Sequence, residues 1–464
     1  MDIDTITAIA TAPGRGGIGI VRLSGPQALS IARKLFHTTA HQLPESSFDF
    51  PAHRLIHGTV ADFVSGKVID EALMAYMPAP HSYTKEEVVE LQLHGSPIVL
   101  GVVLNATISA GARLAEPGEF TRRAFLNGRL DLTQAEAVAD LINAQSESAY
   151  RSAISQLTGA LSQKIAPIIE ALTHVHAEIE ASIEFGEDVA VDFNRENLRS
   201  LLAIQILPRL HALADSYQQG QALREGLRLA IVGRPNVGKS SLLNTLLNQE
   251  RAIVTPMPGT TRDTIEAPLI FDGYPIVAID TAGIHPSNDP VESIGVQKAQ
   301  ETLAAADLVL LVVEAQVPFG PDDSAIWEQA KSKPTLLVIN KIDLIPAHQK
   351  IAIPPDFESL SIAKISALTG EGIDDLKSRI VQKGFSSIEK NTESVIITQQ
   401  RHKHCLDKAI SLLEQTVDTC QQGAFEELLV MDLQSTIRAL NQLLGKEVST
   451  DVLDTIFQRF CIGK

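Results

Sequence analysis

The residues from Gly233 to Ser241, GRPNVGKSS, have the spacing G-x-x-x-x-G-K-[ST] of a phosphate-binding loop. Such a loop turns its backbone N–H groups toward phosphate oxygens at the start of a helix. Lys239 would reach the β- and γ-phosphates, and the hydroxyl of Ser240 would ligate Mg²⁺. A strand-like LRLAIVG precedes the loop and a helical SLLNTLLN follows it. The sequence therefore predicts a nucleoside triphosphate site here.

Three further motifs follow in the order that this chemistry needs. GTTRD offers Thr261 as a second Mg²⁺ hydroxyl, and DTAG offers a backbone that senses the γ-phosphate. In NKID, the carboxylate of Asp343 can accept the N1 and amine hydrogens of guanine, a donor pair that adenine lacks. The SAL segment would contact the base, so the motifs predict GTP. The predicted nucleotide contacts are Asn236, Val237, Gly238, Lys239, Ser240, Ser241, Thr261, Asp280, Thr281, Ala282, Gly283, Asn340, Lys341, Asp343, Ser366 and Ala367.

One expected catalytic part is missing after DTAG. In nucleotide switches of the Ras type, the next residue is a glutamine that orients the attacking water. Here it is Ile284, whose side chain has no hydrogen-bonding group, followed by His285. If the chain hydrolyses GTP, another group must organise the water.

The elements that position these motifs form four stretches. Residues 1–118 combine Gly- and Pro-rich β-type runs with two helix-like segments, PQALSIARKLF and SPIVLGVVLNATISAGAR, which is typical of an α+β domain. Residues 119–221 and 385–464 have apolar residues at helical spacing, and the run from residue 120 predicts one long amphipathic helix. Residues 222–384 alternate buried-strand runs with helical segments, which predicts a mainly parallel, doubly wound sheet.

These stretches predict a multidomain fold. We expect an N-terminal α+β domain, a discontinuous all-α helical domain, and an α/β domain of the Ras-like P-loop GTPase type inserted between the helical halves. Insertion is favoured because neither helical half offers an obvious closed bundle. A linear chain of four domains is the alternative.

Composition limits the classes of function. With 464 residues, 44% of them hydrophobic, the chain has material for several cores, and its net charge of −17 argues against a broad phosphate-gripping surface. Its three cysteines form no Cys-x-x-Cys pair. The N-terminus has no basic segment before an apolar run, and no apolar stretch is long enough to span a bilayer. We therefore expect a cytoplasmic protein without membrane attachment.

Segments outside the motifs identify a family. PGRGGIGIVRLSG, VVELQLHG, PGEFTRRAFLNGRLDLTQAEAVADLI and FCIGK have no place in other GTPases, and with them the whole chain resembles the MnmE (TrmE) family of tRNA-modification GTPases. The resemblance implies a folate-binding-like N-terminal domain that forms a homodimer. It also implies an FAD-dependent partner, MnmG (GidA), that forms a hetero-oligomer with this chain and provides most of the contacts to the tRNA substrate. Together they would install a carboxymethylaminomethyl-type group on C5 of the wobble uridine (position 34), using a 5-formyl or methylene tetrahydrofolate.

The resemblance also implies a replacement for the missing glutamine. A K⁺ ion would be held by Asn236 together with Thr255, Met257 and Thr260 of TPMPGTT, where it neutralises charge in the transition state. Thr255 and Thr260 thereby join the nucleotide-binding residues. Glu292 would hold the water. The implied catalytic residues are Glu292, Lys239 and Thr261. Pro256, Pro258 and His285 depart from the usual family pattern.

By the same resemblance, the folate would contact Arg22, Glu90, Arg129 and the C-terminal Lys464. Arg129 stands where the family often has lysine, and HGS, which begins at His94, replaces the more usual His-Gly-Gly. Cys461 in the CIGK tail is a further candidate. A nucleophilic or redox role for Cys461 stays open, although the sequence offers no base beside it, and so does a structural or ligand-lining role.

A second function is the regulation of ribosome assembly, as in Era- and EngA-like GTPases. Such proteins normally append a basic RNA-binding module, and none is visible in this sequence. The GRGGIG segment matches G-x-G-x-x-G, but the residues after it predict a strand rather than the helix of a dinucleotide-binding turn.

Overall fold

The computed structural model describes residues 4–38, 50–185, 194–249, 267–279, 302–346, 349, 351–385, 395–423 and 425–464. The chain forms two compact units. The first consists of Met1–Ile142, Gln156–His174 and Ile437–Lys464, and the second of Asn143–Ser155 and Val175–Thr436. Each unit has its own sheet.

The first unit begins with an α+β region. Its strands are β1 (Ile6–Ile9), β2 (Gly16–Ser24), β3 (Phe36–Thr38), β4 (Leu55–Ala61), β5 (Val68–Met77), β6 (Val88–Gly95) and β7 (Arg113–Leu114). They form one sheet in the order β3-β4-β5-β6-β2-β1-β7. Neighbouring strands are antiparallel, except that β1 and β7 run parallel.

Two helices cover this sheet, α1 (Ala28–Leu35) and α2 (Pro97–Ser109). Successive residues of a strand point to opposite faces, so the apolar residues of β6 at Val89, Leu91 and Leu93 share one face. They are buried in one core with residues of both helices. The predicted α+β domain and its two helices are confirmed.

Four helices follow, α3 (Glu119–Leu126), α4 (Leu132–Asn143), α5 (Glu147–Leu157) and α6 (Ala160–Phe185). The stretch from residue 120 is therefore helical, as predicted, but it is divided into four helices rather than forming one long helix. Between α3 and α4, Gly128 has φ 67°, and between α5 and α6, Gly159 has φ 84°. These left-handed values are incompatible with a continuous right-handed helix, and glycine adopts them without steric penalty.

In the second unit, α7 (Arg195–Ser200) continues through a π-helical segment, Leu201–Ile206, into α8 (Leu207–Asp215) and then α9 (Tyr217–Glu225). Pro208 has no N–H to donate to the preceding turn, so the regular hydrogen-bond pattern is interrupted where the π-helical segment lies.

The α/β part follows α9. Its strands are β8 (Leu227–Val232), β9 (Ala267–Phe271), β10 (Tyr274–Ile279), β11 (Leu308–Glu314), β12 (Thr335–Asn340) and β13 (Ser361–Lys364), and its helices are α10 (Lys239–Gln249), α11 (Pro321–Ala330) and α12 (Ile373–Phe385). The sheet has the order β13-β12-β11-β8-β10-β9. Only the pair β9–β10 is antiparallel. All six residues of β12 are buried, as expected for a sheet covered on both faces, so the predicted doubly wound sheet is confirmed.

Helices resume with α13 (Gln400–Gln422), α14 (Glu426–Leu444) and α15 (Thr450–Phe457). Within the second unit, α13 packs against α7 and α8. Within the first unit, α15 buries Leu453 and Phe457 against Leu132 and Ala135 of α4. Helical structure therefore both precedes and follows the six-stranded sheet. No helix in the described part of the chain is long and apolar enough to cross a membrane.

Candidate functional site

The phosphate-binding loop connects β8 to α10, as the sequence predicts. Asn236 has φ 65° and Gly238 has φ 97°. Asparagine tolerates the left-handed region better than most residues, whereas position 238 has a second requirement. A Cβ atom on Gly238 would lie 2.3 Å from Nδ2 of Asn340, so only glycine lets the loop approach this side chain.

Lys239 opens α10 and turns back over the loop. Its ammonium group donates hydrogen bonds to the carbonyl oxygens of Gly233 and Arg234, each at 2.8 Å. Burial lowers the pKa of Lys239. The loop carbonyls therefore fix the position of the ammonium group, and Ser240 follows directly in the first turn of α10.

Asn340 joins the phosphate-binding loop to the predicted base-binding segment. It ends β12 with 1% of its surface exposed. Its amide nitrogen donates to the carbonyl of Val237 at 2.8 Å, and its amide oxygen accepts from the N–H of Ala367 at 3.0 Å. Ser366 is fully buried, and its hydroxyl accepts from the N–H of Thr369 at 3.1 Å. One side chain thus holds three predicted segments together.

The residues that follow Asn340, together with the SAL segment, form the part of the site that would contact the base. Lys341 has φ 63°, and its ammonium group donates to Glu314 at 2.8 Å. Asp343 follows on a 3₁₀ turn with an exposed side chain, and Leu368 of the SAL segment is 86% exposed. The residues predicted to contact the phosphates and those predicted to contact the base therefore lie on loops that are hydrogen-bonded to each other.

The remaining predicted residues of this site lie outside the described residues. They are Thr255, Met257, Thr260, Thr261, Asp280, Thr281, Ala282, Gly283, Ile284, His285 and Glu292. Among the described residues, the structure brings together Asn236, Val237, Gly238, Lys239, Ser240 and Ser241 with Asn340, Lys341, Asp343, Ser366 and Ala367.

A second group of predicted residues lies in the first unit. Arg22 of β2 and Glu90 of β6 are direct neighbours across the two strands. Their guanidinium and carboxylate groups lie 2.8 Å apart, and both side chains are mostly buried. The C-terminal tail reaches the same place, because Nη1 of Arg22 contacts the carbonyl of Gly463 at 3.5 Å. Arg22, Glu90 and the residue before Lys464 are therefore close together.

Arg129 joins this group through an aromatic ring that sequence reasoning missed. The guanidinium carbon of Arg129 lies 4.7 Å from the centre of the Tyr83 ring, and that of Arg22 lies 5.8 Å from it. The Tyr83 hydroxyl is hydrogen-bonded to the Thr121 hydroxyl at 2.9 Å. The ring of Phe120 lies 5.6 Å from Arg22. No spacing pattern marks Tyr83 or Phe120. The only signal in the sequence is that each is an aromatic residue close to charged residues.

A cavity of about 490 Å³ adjoins the group. It is lined by Met77, Pro80, His81, Ser82, Tyr83, Lys85 and Arg129. Cys461 is exposed, and its carbonyl accepts from the N–H of Lys464 at 3.4 Å. At the end of β6, His94 is hydrogen-bonded to Asp70 at 2.8 Å, and this bond raises the pKa of His94.

Similarity to known proteins decides the family. Residues 5–129 match the family described as GTP-binding protein TrmE N-terminus, and residues 132–461 match the MnmE helical domain. The tRNA modification GTPase MnmE of Moorella thermoacetica is 44% identical over 99% of this chain and 99% of that protein. The tRNA modification GTPase MnmE of a Cyanothece strain is 45% identical over 99% of each. The chain belongs to the MnmE family of tRNA modification GTPases.

As a member of the MnmE family, the chain is a GTP hydrolase that acts in tRNA modification, so the predicted activity is confirmed. The MnmE helical domain spans residues 132–461 and therefore encloses all strands from β8 to β13. The predicted discontinuous helical domain with an inserted GTPase domain is confirmed, and the linear chain of four domains is excluded. Era from Aquifex aeolicus, solved with GDP and aluminium fluoride, is 30% identical over 40% of this chain and 66% of that chain, at a TM-score of 0.27.

Proposed function

We propose that this MnmE-family enzyme is a K⁺-stimulated cytoplasmic GTPase whose cycle drives modification of the wobble uridine of certain tRNAs. With an FAD-dependent MnmG partner, it installs a carboxymethylaminomethyl-type group on C5 and takes the one-carbon unit from a tetrahydrofolate. One observation carries the proposal. A single chain combines a phosphate-binding loop tied to a guanine-type NKID motif with a buried Arg22–Glu90 pair in a TrmE-type N-terminal region.

In the nucleotide site, some groups stabilise the charge on the phosphates and others recognise the guanine base. The Lys239 ammonium group and the loop N–H groups stabilise negative charge on the phosphates, and Asp343 accepts hydrogens from guanine. Ser240 and Thr261 would hold Mg²⁺, since hydroxyl oxygens suit a hard cation. When bound, the Mg²⁺ would neutralise negative charge on the phosphates. Glu292 orients the water in place of a glutamine at Ile284.

The K⁺ part of the proposal rests on Asn236. Its side chain is exposed and has no hydrogen bond to another described residue, so its amide oxygen is available for a cation. By the family resemblance, Thr255, Met257 and Thr260 would supply the other oxygen ligands. Hydrolysis by the purified protein should be fast in KCl and slow in NaCl at equal ionic strength. Equal rates would rule out the cation.

The folate part rests on the charged group of the first unit. A folate carries carboxylates and a polar pterin ring, and it would find the cations Arg22, Arg129 and Lys464 beside the carboxylate of Glu90. The cavity next to Tyr83 supplies an apolar wall. We assign this role, together with dimerisation, to residues 1–118. We assign nucleotide turnover to 222–384 and the helical domain to 119–221 and 385–464.

The whole proposal is tested in a strain that lacks the gene, complemented with the wild type or with Lys239→Ala. Mass spectrometry of tRNA nucleosides should show the modified wobble uridine only with the wild type. A normal nucleoside profile in the uncomplemented strain would contradict the proposal. Defective ribosomal particles together with that profile would instead support a regulator of ribosome assembly.

A further inference from the structure

A charged pair lies behind the phosphate-binding loop. Arg234, the second residue of GRPNVGKSS, places its Nε atom 2.9 Å from Oδ1 of Asp323 in the first turn of α11. The Asp323 side chain is fully buried and that of Arg234 is 20% exposed. Neither atom has a partner with hydrogen-bond geometry, so the contact is an attraction between charges. With little water around it, such an attraction is stronger than at a surface.

The other oxygen of Asp323 fixes the carboxylate in place. Oδ2 accepts from the N–H of Gly320 at 2.9 Å, at the start of α11. From the other side, Nη2 of Arg234 contacts the carbonyl of Pro318 at 3.4 Å. The β11–α11 connection, residues 315–320, is therefore clamped to the phosphate-binding loop by one arginine.

The same β11–α11 connection also reaches the base-binding side. The N–H of Ala315 donates to the carbonyl of Asn340 at 2.9 Å, and the side-chain amide of Gln316 donates to the carbonyl of Leu344 at 2.6 Å. The 3₁₀ turn that carries Asp343 and the phosphate-binding loop are thus both attached to this short connection.

The backbone of Arg234 participates in the phosphate site itself, because its carbonyl is one of the two acceptors that hold the Lys239 ammonium group at 2.8 Å. We propose that Arg234 and Asp323 are positioning residues for GTP. Their ion pair fixes the loop backbone so that Lys239 and the loop N–H groups face the phosphates, and it holds the loop in register with the NKID turn. The role proposed for these two side chains requires no direct contact with the nucleotide.

The variants are chosen to separate this role from simple structural support. Asp323→Asn removes the charge but keeps an oxygen that can still accept from the N–H of Gly320. Arg234→Met removes the guanidinium and keeps an unbranched side chain, and Arg234→Lys keeps the charge. Asp322→Asn is the matched control, since it removes the same charge one position earlier from an exposed side chain. The full-length protein is used throughout.

Fluorescent GTP and GDP analogues give Kd, steady-state hydrolysis gives KM and kcat, and melting of the nucleotide-free protein gives Tm. We expect Asp323→Asn and Arg234→Met each to raise Kd and KM about tenfold, with kcat within about twofold of the wild type. The double variant should bind no more weakly than the weaker single variant, because both remove one pair. Arg234→Lys should recover part of the affinity, and Asp322→Asn should match the wild type.

Two results would overturn the proposal. A lower Tm with unchanged Kd would make the pair a structural support only, and additive losses in the double variant would show that the two residues act separately. Should Asp323→Asn fail to fold, the comparison of Arg234→Met with Arg234→Lys decides. Equal Kd values in these two variants would contradict a role for the positive charge.

Discussion

At the scale of single residues, Asn340 shows what a motif predicts and what it leaves out. The spacing NKID predicts a guanine site from the sequence, because the motif is short and local. In the structure, the Asn340 amide uses both its donor and its acceptor on the backbone of Val237 and Ala367. Contacts of this kind join segments that are distant in sequence. Tyr83 and Asp323 also make contacts with segments that are distant in sequence, and no local pattern marks either residue.

Base selection should depend on Asp343, whose side chain is exposed on its turn. Asp343→Asn replaces an acceptor by a donor at the edge that faces N1 and the amine of guanine. We expect GTP affinity to fall by about a hundredfold and XTP affinity to rise, since xanthine presents a carbonyl in place of the amine. Competition against a fluorescent nucleotide measures both. Asp356→Asn, at an exposed position on a different 3₁₀ turn, is the control. Retained GTP affinity in Asp343→Asn would contradict the assignment.

Tyr83 should hold the two arginines that would meet folate. Tyr83→Ala removes the ring that lies beside both guanidinium groups, and affinity for 5-formyltetrahydrofolate should fall about tenfold. Tyr83→Phe keeps the ring and loses only the bond to Thr121, so its affinity should stay within about twofold of the wild type. Calorimetry measures both variants. If Tyr83→Ala binds normally while Arg22→Ala does not, the folate site stands and the role of the ring is wrong.

At the scale of elements, periodicity predicts the strands but not their alignment. GIGIVRLSG and VVELQLHG read as strands, and they form β2 and β6. The meeting of Arg22 with Glu90 depends on the register between them, and a slip of one residue would turn one of the two side chains to the other face. That register reflects packing across the whole sheet and an irregularity between Gly16 and Ile18, which a single strand sequence does not contain.

Around α3, an ion network should make the first unit sensitive to acid. Glu119 accepts from Arg113 at 2.7 Å and from Arg123 at 2.9 Å, and Arg123 also pairs with Asp4 at 2.6 Å. Burial by itself would raise the pKa of Glu119, but the arginines and the N–H of Glu116 outweigh it and lower the pKa below its ordinary value. The pKa of Asp4 is lowered for the same reason, again against the effect of burial.

A carboxylate with a lowered folded-state pKa stabilises the fold above its unfolded-state pKa, and this contribution is lost as the pH falls through the folded value. Tm should therefore begin to drop once the pH falls below the ordinary carboxyl range, about pH 4, and should continue to drop as Glu119 and Asp4 take up protons in the folded state. Glu119→Gln should lower the free energy of unfolding by about 1–3 kcal/mol at pH 7, and the Tm of this variant should decline less in acid than that of the wild type. Calorimetry over a series of pH values from about 3 to 7 tests this. Glu116→Gln, at an exposed position, should behave like the wild type.

At the scale of the whole molecule, the order of strand-like and helix-like stretches along the sequence favours an inserted α/β domain over a linear chain of domains. Apolar residues repeat at a different spacing in strands and in helices, so a change in this spacing along the chain indicates a change of domain. The sequence of one chain does not show which of its surfaces contacts another chain. The starts of β2 and β5 and the ends of β4 and β6 lie at the same end of the seven-stranded sheet, because these strands are antiparallel.

Four exposed apolar residues, which we call the sheet-end patch, lie in or next to these strand ends: Ile18, Val64, Val68 and Ile98. Their exposures are 66%, 80%, 59% and 78%. Scattered exposed apolar residues are normal, whereas a cluster at one end of a sheet is typical of an interface. We propose that this patch forms the interface of the homodimer proposed above for residues 1–118. A second copy of the chain can cover the patch without any other protein, because two identical patches can meet across a two-fold axis.

The dimer assignment predicts that Val64→Asp and Ile98→Asp each give a monomer, because a buried unpaired carboxylate opposes association. Light scattering after size-exclusion chromatography measures the mass. Ile204→Asp changes an equally exposed isoleucine, at 71%, in the second unit, and this control should remain dimeric. Affinity for fluorescent GTP should be unchanged in all three variants, since no residue of the sheet-end patch belongs to the phosphate-binding or NKID segments. A dimer that survives both substitutions would remove the patch from the interface.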